Sequence, residues 1–190
     1  MSWPAFSERR LPPGAAVESH THGGRPSSLG VGMKQRSGLW AVVVGGSIAG
    51  ALDILFAISY ARYNGMPPAR LLQTVASGLL GEAAFSGGSA TAATGLLCHF
   101  AMAYLWAGIF MAAARRLPML TRQPVLSGIV FGVVVFFIMR LVVLPLSAFP
   151  YPVSFKPLGT VLDLLSHTLL FGVPIALATR RAHVSVSPPS

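Results

Sequence analysis

Four runs of mostly apolar residues, at about 39–60, 92–114, 125–147 and 158–179, dominate the chain. Each is close to the roughly 20 residues that an α-helix needs to cross the hydrocarbon core of a bilayer. In lipid every backbone N–H and C=O must be satisfied internally, so such runs fold as helices. The segments between them carry helix breakers: Asn64-Gly65 with Pro67-Pro68, Gly87-Gly88, Pro118 with Pro124, and Pro150, Pro152 and Pro157. The expected fold is an all-α membrane protein, with four transmembrane helices in one bundle over 38–182. Composition agrees: of 190 residues only 10% are charged, against about 25% in a soluble domain. The five acidic residues are too few to solvate a soluble globule of this size. Cys98 is the single cysteine, which excludes an internal disulfide and a cysteine-based zinc or iron–sulfur cluster. It reads as an inert buried thiol.

A formal net charge of +9 points to nucleic acid until it is mapped along the chain. Arg9, Arg10, Arg25, Lys34 and Arg36 precede the first run. Arg115, Arg116 and Arg122 lie between the second and third, and Arg180 and Arg181 follow the fourth. Arg62, Arg70 and Lys156 fall in the two other loops, and Arg140 lies inside a run. This is the positive-inside distribution. It explains the basic charge without nucleic acid and places both termini in the cytoplasm of a bacterium, with the bundle in the inner (plasma) membrane. The expected surroundings are lipid and a second copy or another membrane protein.

Residues 1–37 differ in kind: Pro, Gly, Ser and Arg leave little to bury, and the segment reads as a disordered cytoplasmic tail. Residues 183–190 read as a second, short cytoplasmic tail. Met33-Lys34-Gln35-Arg36 runs directly into the first span, as a native start does, so translation from Met1 and from Met33 both fit. His20 and His22 lie in the tail and read as incidental.

The loop from 62 to 91 is long enough to hold structure. Pro67-Pro68 starts a helix over about 67–85, with Leu72, Val75, Leu79 and Ala83 on one face and Arg70, Gln73, Thr74 and Ser77 on another. Such a helix lies in the membrane interface or re-enters the bilayer, as a lid on the bundle end. Glu82, near its apolar edge, is placed to point inward.

The stretch Ala41-Val42-Val43-Val44-Gly45-Gly46-Ser47-Ile48-Ala49-Gly50 imitates a dinucleotide-binding fingerprint. That motif requires alternating strands and helices and an acidic residue about 20 positions on. Ser47 takes the place of the second glycine, Arg70 stands where the acid belongs, and membrane spans follow. Gly46-x-x-x-Gly50 instead allows close approach of a neighbouring helix.

Ionisable residues inside spans are expensive and mark function by default. Here they are Asp53, His99, Arg140, Asp163 and His167. Counted from the outer end of each run at about 1.5 Å per residue, all five lie roughly 7–14 Å deep, in one layer of the outer half. Small residues share their helix stripes: Gly46, Gly50 and Ala57 with Asp53; Gly95 and Ala103 with His99; Gly128 and Gly132 with Arg140; Gly159 with Asp163 and His167. The polar groups are therefore expected to face neighbouring helices, with Glu82 as a further candidate. Two aspartates against one arginine leave an excess negative charge, which a protonated histidine or aspartate or a bound cation would balance.

Three segments have a further resemblance. Gly50-Ala51-Leu52-Asp53-Ile54, Leu72-Gln73-Thr74-Val75-Ala76-Ser77-Gly78-Leu79-Leu80-Gly81 and Val143-Leu144-Pro145-Leu146-Ser147-Ala148 resemble a family of small, uncharacterised four-span bacterial inner-membrane proteins. The resemblance covers about 39–182 and implies location and topology, with no chemistry attached. A weak parallel two-plus-two repeat is also visible: each half opens with a late charge (Asp53, Arg140) and closes with an early histidine (His99, His167).

No serine stands beside a histidine–acid pair at a recognisable spacing, and no enzyme is expected. Three functional readings stay open. The polar layer handles a proton, a cation or a small polar solute. Alternatively it is a fixed ion pair in a non-catalytic scaffold that stabilises membrane partners. Thirdly, His99 and His167 hold a haem in an electron carrier; otherwise no cofactor and no metal is expected.

Overall fold

The computed structural model describes residues 38–184. The expected tail over 1–37, the histidine pair at His20 and His22, the alternative start at Met33 and all but the first two residues of the expected tail over 183–190 lie outside the described residues; the last helix continues to Val184. Among the described residues the chain is helical and contains no strand. Four helices are long and apolar enough to cross a membrane: Gly38–Tyr63, Gly88–Arg116, Pro124–Leu146 and Pro157–Ala182. They match the four expected runs, and a continuous helix through 41–50 removes the dinucleotide-binding reading.

The first span ends in a turn at Asn64-Gly65, where Gly65 has a φ of +81° that a side chain would resist. Pro68 then opens the loop helix, Pro68–Leu80, and a 3₁₀ turn, Gly81–Phe85, completes the segment. Proline at a helix start loses no bond, because the first N–H groups have no partner within the helix. A short helical turn, Met119–Arg122, joins the second and third spans.

Glycines set the helix contacts. A Cβ at Gly46 would strike the Tyr104 ring, and one at Gly50 the Phe100 ring and Ala103, so the Gly46-x-x-x-Gly50 stripe receives the second span. A Cβ at Gly128 would lie 2.6 Å from Val173 Cα, and one at Gly132 would overlap the His167 carbonyl. The third and fourth spans therefore touch backbone to backbone. Lipid provides no hydrophobic drive between helices, so this close van der Waals packing is what holds them. Ala49, Ala103, Phe110, Val135 and Ile175 form the buried centre, and Phe110 meets Phe131 with ring centroids 4.9 Å apart.

The loop helix packs in the reverse sense to the usual amphipathic rule. Gln73, Ala76 and Ser77 are its buried residues, while Leu79 and Leu80 are exposed. The cause is close approach. Gly95 of the second span has no side chain, and the Leu72 carbonyl sits where its Cβ would be. Only small residues fit at that distance, and Gln73 is satisfied there by the Gly88 carbonyl at 3.0 Å. The apolar face is left for lipid. The Ala148 N–H donates to the Gly78 carbonyl at 2.9 Å, which ties the loop helix to the C-terminal end of the third span. Arg70 lies over the Phe85 ring, 3.8 Å from its centroid. Glu82 is exposed on the 3₁₀ turn, not directed inward, because its neighbour Ala84 takes the buried position.

Candidate functional site: a polar cluster between three spans

Two spans leave α geometry where the charges sit. The third is π-helical over Met139–Val143, around Arg140, and the fourth over Ser166–Gly172, around His167. A π turn carries one residue more than an α turn and re-aims the side chains beyond it; such turns are rare and concentrate at functional sites. The second of them lies against Gly132, whose missing side chain leaves room for the His167 carbonyl.

Arg140 reaches across to the fourth span. Its Nη2 and Nε both donate to Asp163 Oδ2, at 2.7 and 3.1 Å. Its Nη1 donates to the Ser154 carbonyl at 2.8 Å, so the guanidinium also ties down the loop between the third and fourth spans. Phe136 and Phe155 flank it, each with its ring centroid 5.4 Å from the guanidinium carbon. Each of its three nitrogens thus donates a hydrogen bond.

The other oxygen of Asp163 serves the histidine. Oδ1 lies 3.2 Å from His167 Nδ1, and the Asp163 backbone carbonyl lies 2.9 Å from the same nitrogen. Asp53 Oδ1, from the first span, stands 4.0 Å away on the same side. Ser166 Oγ donates to that Asp53 oxygen at 2.5 Å. The groups that face Nδ1 are thus all acceptors, and only an N–H can face them. Nδ1 therefore carries the hydrogen of the neutral ring, which leaves Nε2 as the bare nitrogen. Nε2 has no hydrogen bond among the described residues, and it is not sealed in the interior. The ring is held between Phe136 and Phe171, with centroids 5.8 and 6.0 Å away.

The cluster grades from open to closed. Side-chain exposure is 34% at Asp163, 21% at Arg140, 17% at His167 and 13% at Asp53. Its formal charge is negative by one when His167 is neutral and zero when His167 is protonated, which follows from two aspartates and one arginine.

The expected layer of five is therefore four plus one. Asp53, Arg140, Asp163 and His167 come together. His99 does not join them: its Nε2 meets the Gly50 carbonyl at 2.9 Å, in the seam between the first two spans. Depth places a residue along a helix axis but not around it, and His99 looks away from the cluster. Glu82 also lies apart, exposed on the loop. The two histidines read as haem ligands are held differently, His99 with Nε2 at a backbone carbonyl and His167 with Nδ1 toward carboxylates and Nε2 unengaged. Among the described residues no group of three His, Cys, Asp or Glu side chains is placed to hold a metal ion. Cys98, one position from His99, is partly buried.

Ser166 is the residue that the sequence reading passed over. It lies three positions after Asp163 and one before His167, and that i, i+3, i+4 spacing was the available signal. Its hydroxyl donates to Asp53 and does not sit on the free Nε2, so the group is not a serine hydrolase triad.

No family model, no curated protein and no solved structure matches the chain. The resemblance of the three segments accordingly brings no residue role to the cluster.

Proposed function

We propose that the chain is a bacterial inner-membrane protein whose Asp53–Ser166–His167–Asp163–Arg140 cluster takes up and releases a proton at His167 Nε2. The carrying observation is the arrangement around His167: Nδ1 faces acceptors from two spans, at 2.9 and 3.2 Å with Asp53 behind at 4.0 Å, while Nε2 is left without a partner. Histidine is the side chain whose ordinary titration falls near neutral pH. Protonation of Nε2 brings the formal charge of the cluster from minus one to zero. Ser166 holds the Asp53 carboxylate in place, and Arg140 holds that of Asp163. On this reading the proton enters by way of Asp163 and Arg140, the more exposed members of the cluster. The arginines of the opposite end set the orientation under the positive-inside rule, so the cluster belongs to the periplasmic half and both termini to the cytoplasm. A passage through only four helices is narrow, and a conducting form is expected to be an oligomer.

A scaffold is the second reading, and the anchoring of all three Arg140 nitrogens favours it. A cation held by Asp163, the Ser154 carbonyl and two rings also serves to fix helix register.

Proton flux separates the two. The full chain is reconstituted in liposomes with an entrapped pH dye, and a potassium gradient with valinomycin drives proton entry. Entry above that of protein-free vesicles is expected, falling to background in His167→Asn and Asp163→Asn, both of which still insert. A wild-type rate equal to that of empty vesicles, or variants with the wild-type rate, would contradict the proton reading.

A further inference from the structure

The end of the bundle opposite the cluster carries a second feature. A groove of about 420 Å³ runs between the third and fourth spans at their arginine-rich ends. It is shallow and open along its side, a surface groove and not an enclosed cavity. Its lining is apolar: Val125 and Leu126, both exposed, with the half-buried Ile129 and Leu177. Gln123 and Arg180 stand at its mouth.

The polar and apolar parts are separated along the membrane normal. Gln123 caps the start of the third span at Pro124, and Arg180 lies near the close of the fourth. The apolar residues lie deeper, within the spans. Among the described residues no hydrogen bond or ion pair engages the side chain of Arg180 or of Gln123, and both are exposed. Arg115, Arg116, Arg122 and Arg181 share this end. The described carboxylates, Asp53, Glu82 and Asp163, all belong to the opposite half of the bundle or its loop. No acid of the described chain is placed to neutralise Arg180.

We infer that this groove binds an anionic phospholipid, with the phosphate at Arg180 and Gln123 and an acyl chain along Val125, Leu126, Ile129 and Leu177. The charge complementarity is specific in place: a guanidinium and an amide offer N–H donors to phosphate oxygens, beside apolar side chains that suit an acyl chain. Basic pockets between membrane helices at the cytoplasmic side hold anionic head groups in this way.

The test is native mass spectrometry of the full chain in detergent, with phosphatidylglycerol or phosphatidylcholine of identical acyl chains added at equal concentration. About fivefold more phosphatidylglycerol than phosphatidylcholine is expected on the first site, the ratio given by about 1 kcal/mol per arginine at an anionic surface. Arg180→Gln is expected to bring the ratio near one, and Arg115→Gln, on the second span, to leave it unchanged. Ile129→Trp, which fills the groove, should lower retention of both lipids. An equal ratio in the wild type would overturn the assignment. So would an unchanged ratio in Arg180→Gln, or an equal loss in Arg115→Gln, which would mean diffuse charge in place of a site. Displacement of the lipid by glycerol phosphate would overturn it too, since it would assign the site to a soluble phosphate.

Discussion

At the scale of the residue, the cluster is a division of labour on one carboxylate. Asp163 gives Oδ2 to Arg140 and Oδ1 to His167. Removing its charge leaves Arg140 with only the Ser154 carbonyl as a polar partner. An ion pair stripped of one member is costly because the other charge stays desolvated, whereas replacing both by apolar groups costs far less. The pair is a fifth to a third exposed, which lowers the cost from that of a sealed one. We expect Arg140→Met and Asp163→Leu each to destabilise the protein in detergent by about 1–3 kcal/mol. The double variant should lose less than the sum, with a coupling of at least about 0.5 kcal/mol. Chemical unfolding of the three variants measures this, and strict additivity would mean that the two charges do not support each other. The chain's residue types made most of this cluster legible: charges in apolar runs, beside glycines, at one depth. The direction of His99 was not legible, because nothing in the chain order says which side of a helix a neighbour occupies. Ser166 was not singled out because a serine within a span is common and bonds its own backbone more often than a distant aspartate.

At the scale of the element, helix existence and length were readable while helix irregularity was not. The expected 67–85 segment is the helix Pro68–Leu80 with its 3₁₀ turn, and the prolines and glycines marked both ends. The π turns at Met139–Val143 and Ser166–Gly172 left no mark in the apolar period, since they arise where two backbones press together at Gly132 and where side chains reach for each other. Which face of the loop helix meets the bundle was not legible in the sequence, for a related reason. Apolar faces turn inward in water, but beside a bilayer the small polar face takes the protein and the leucines take the lipid. The Gly95 contact carries that arrangement. A Cβ at Gly78 would lie 3.9 Å from Ser147 Cβ, inside the roughly 3.5–4.5 Å range of a disulfide. With Cys98→Ser as background, Gly78→Cys with Ser147→Cys should cross-link under mild oxidation. Adding Gly95→Leu, whose side chain collides with the Leu72 backbone, should abolish the cross-link in protein that still elutes as one species. A cross-link that persists would show that the loop helix does not depend on this contact.

At the scale of the whole molecule, the bundle separates its charges. The described carboxylates belong to the half that carries the loop helix, and Arg115, Arg116, Arg122, Arg180 and Arg181 to the other end. The two ends of the four-span bundle, near Gly38 and Ala182, therefore share the arginine-rich side. Reporter fusions check the orientation. A fluorescent protein fused after residue 190 should fluoresce, and alkaline phosphatase fused there should be inactive; the reverse pair would invert the topology and place the cluster toward the cytoplasm. This level of the fold was the most legible in the sequence. Twenty-residue apolar runs and the placement of arginines are imposed by the bilayer itself, independently of how the helices later pack.

The most direct measurement is the state of the His167 ring. The full chain with ¹⁵N-labelled histidine rings is placed in nanodiscs, and side-chain nitrogen resonances are followed from about pH 5 to 8, the range in which histidine changes charge. His167→Asn assigns the signals. The account predicts a ring with Nδ1 protonated and Nε2 bare at the alkaline end, gaining its second proton at Nε2 as the pH falls. A ring with its single proton on Nε2, or one that holds the same state across the whole range, would contradict it.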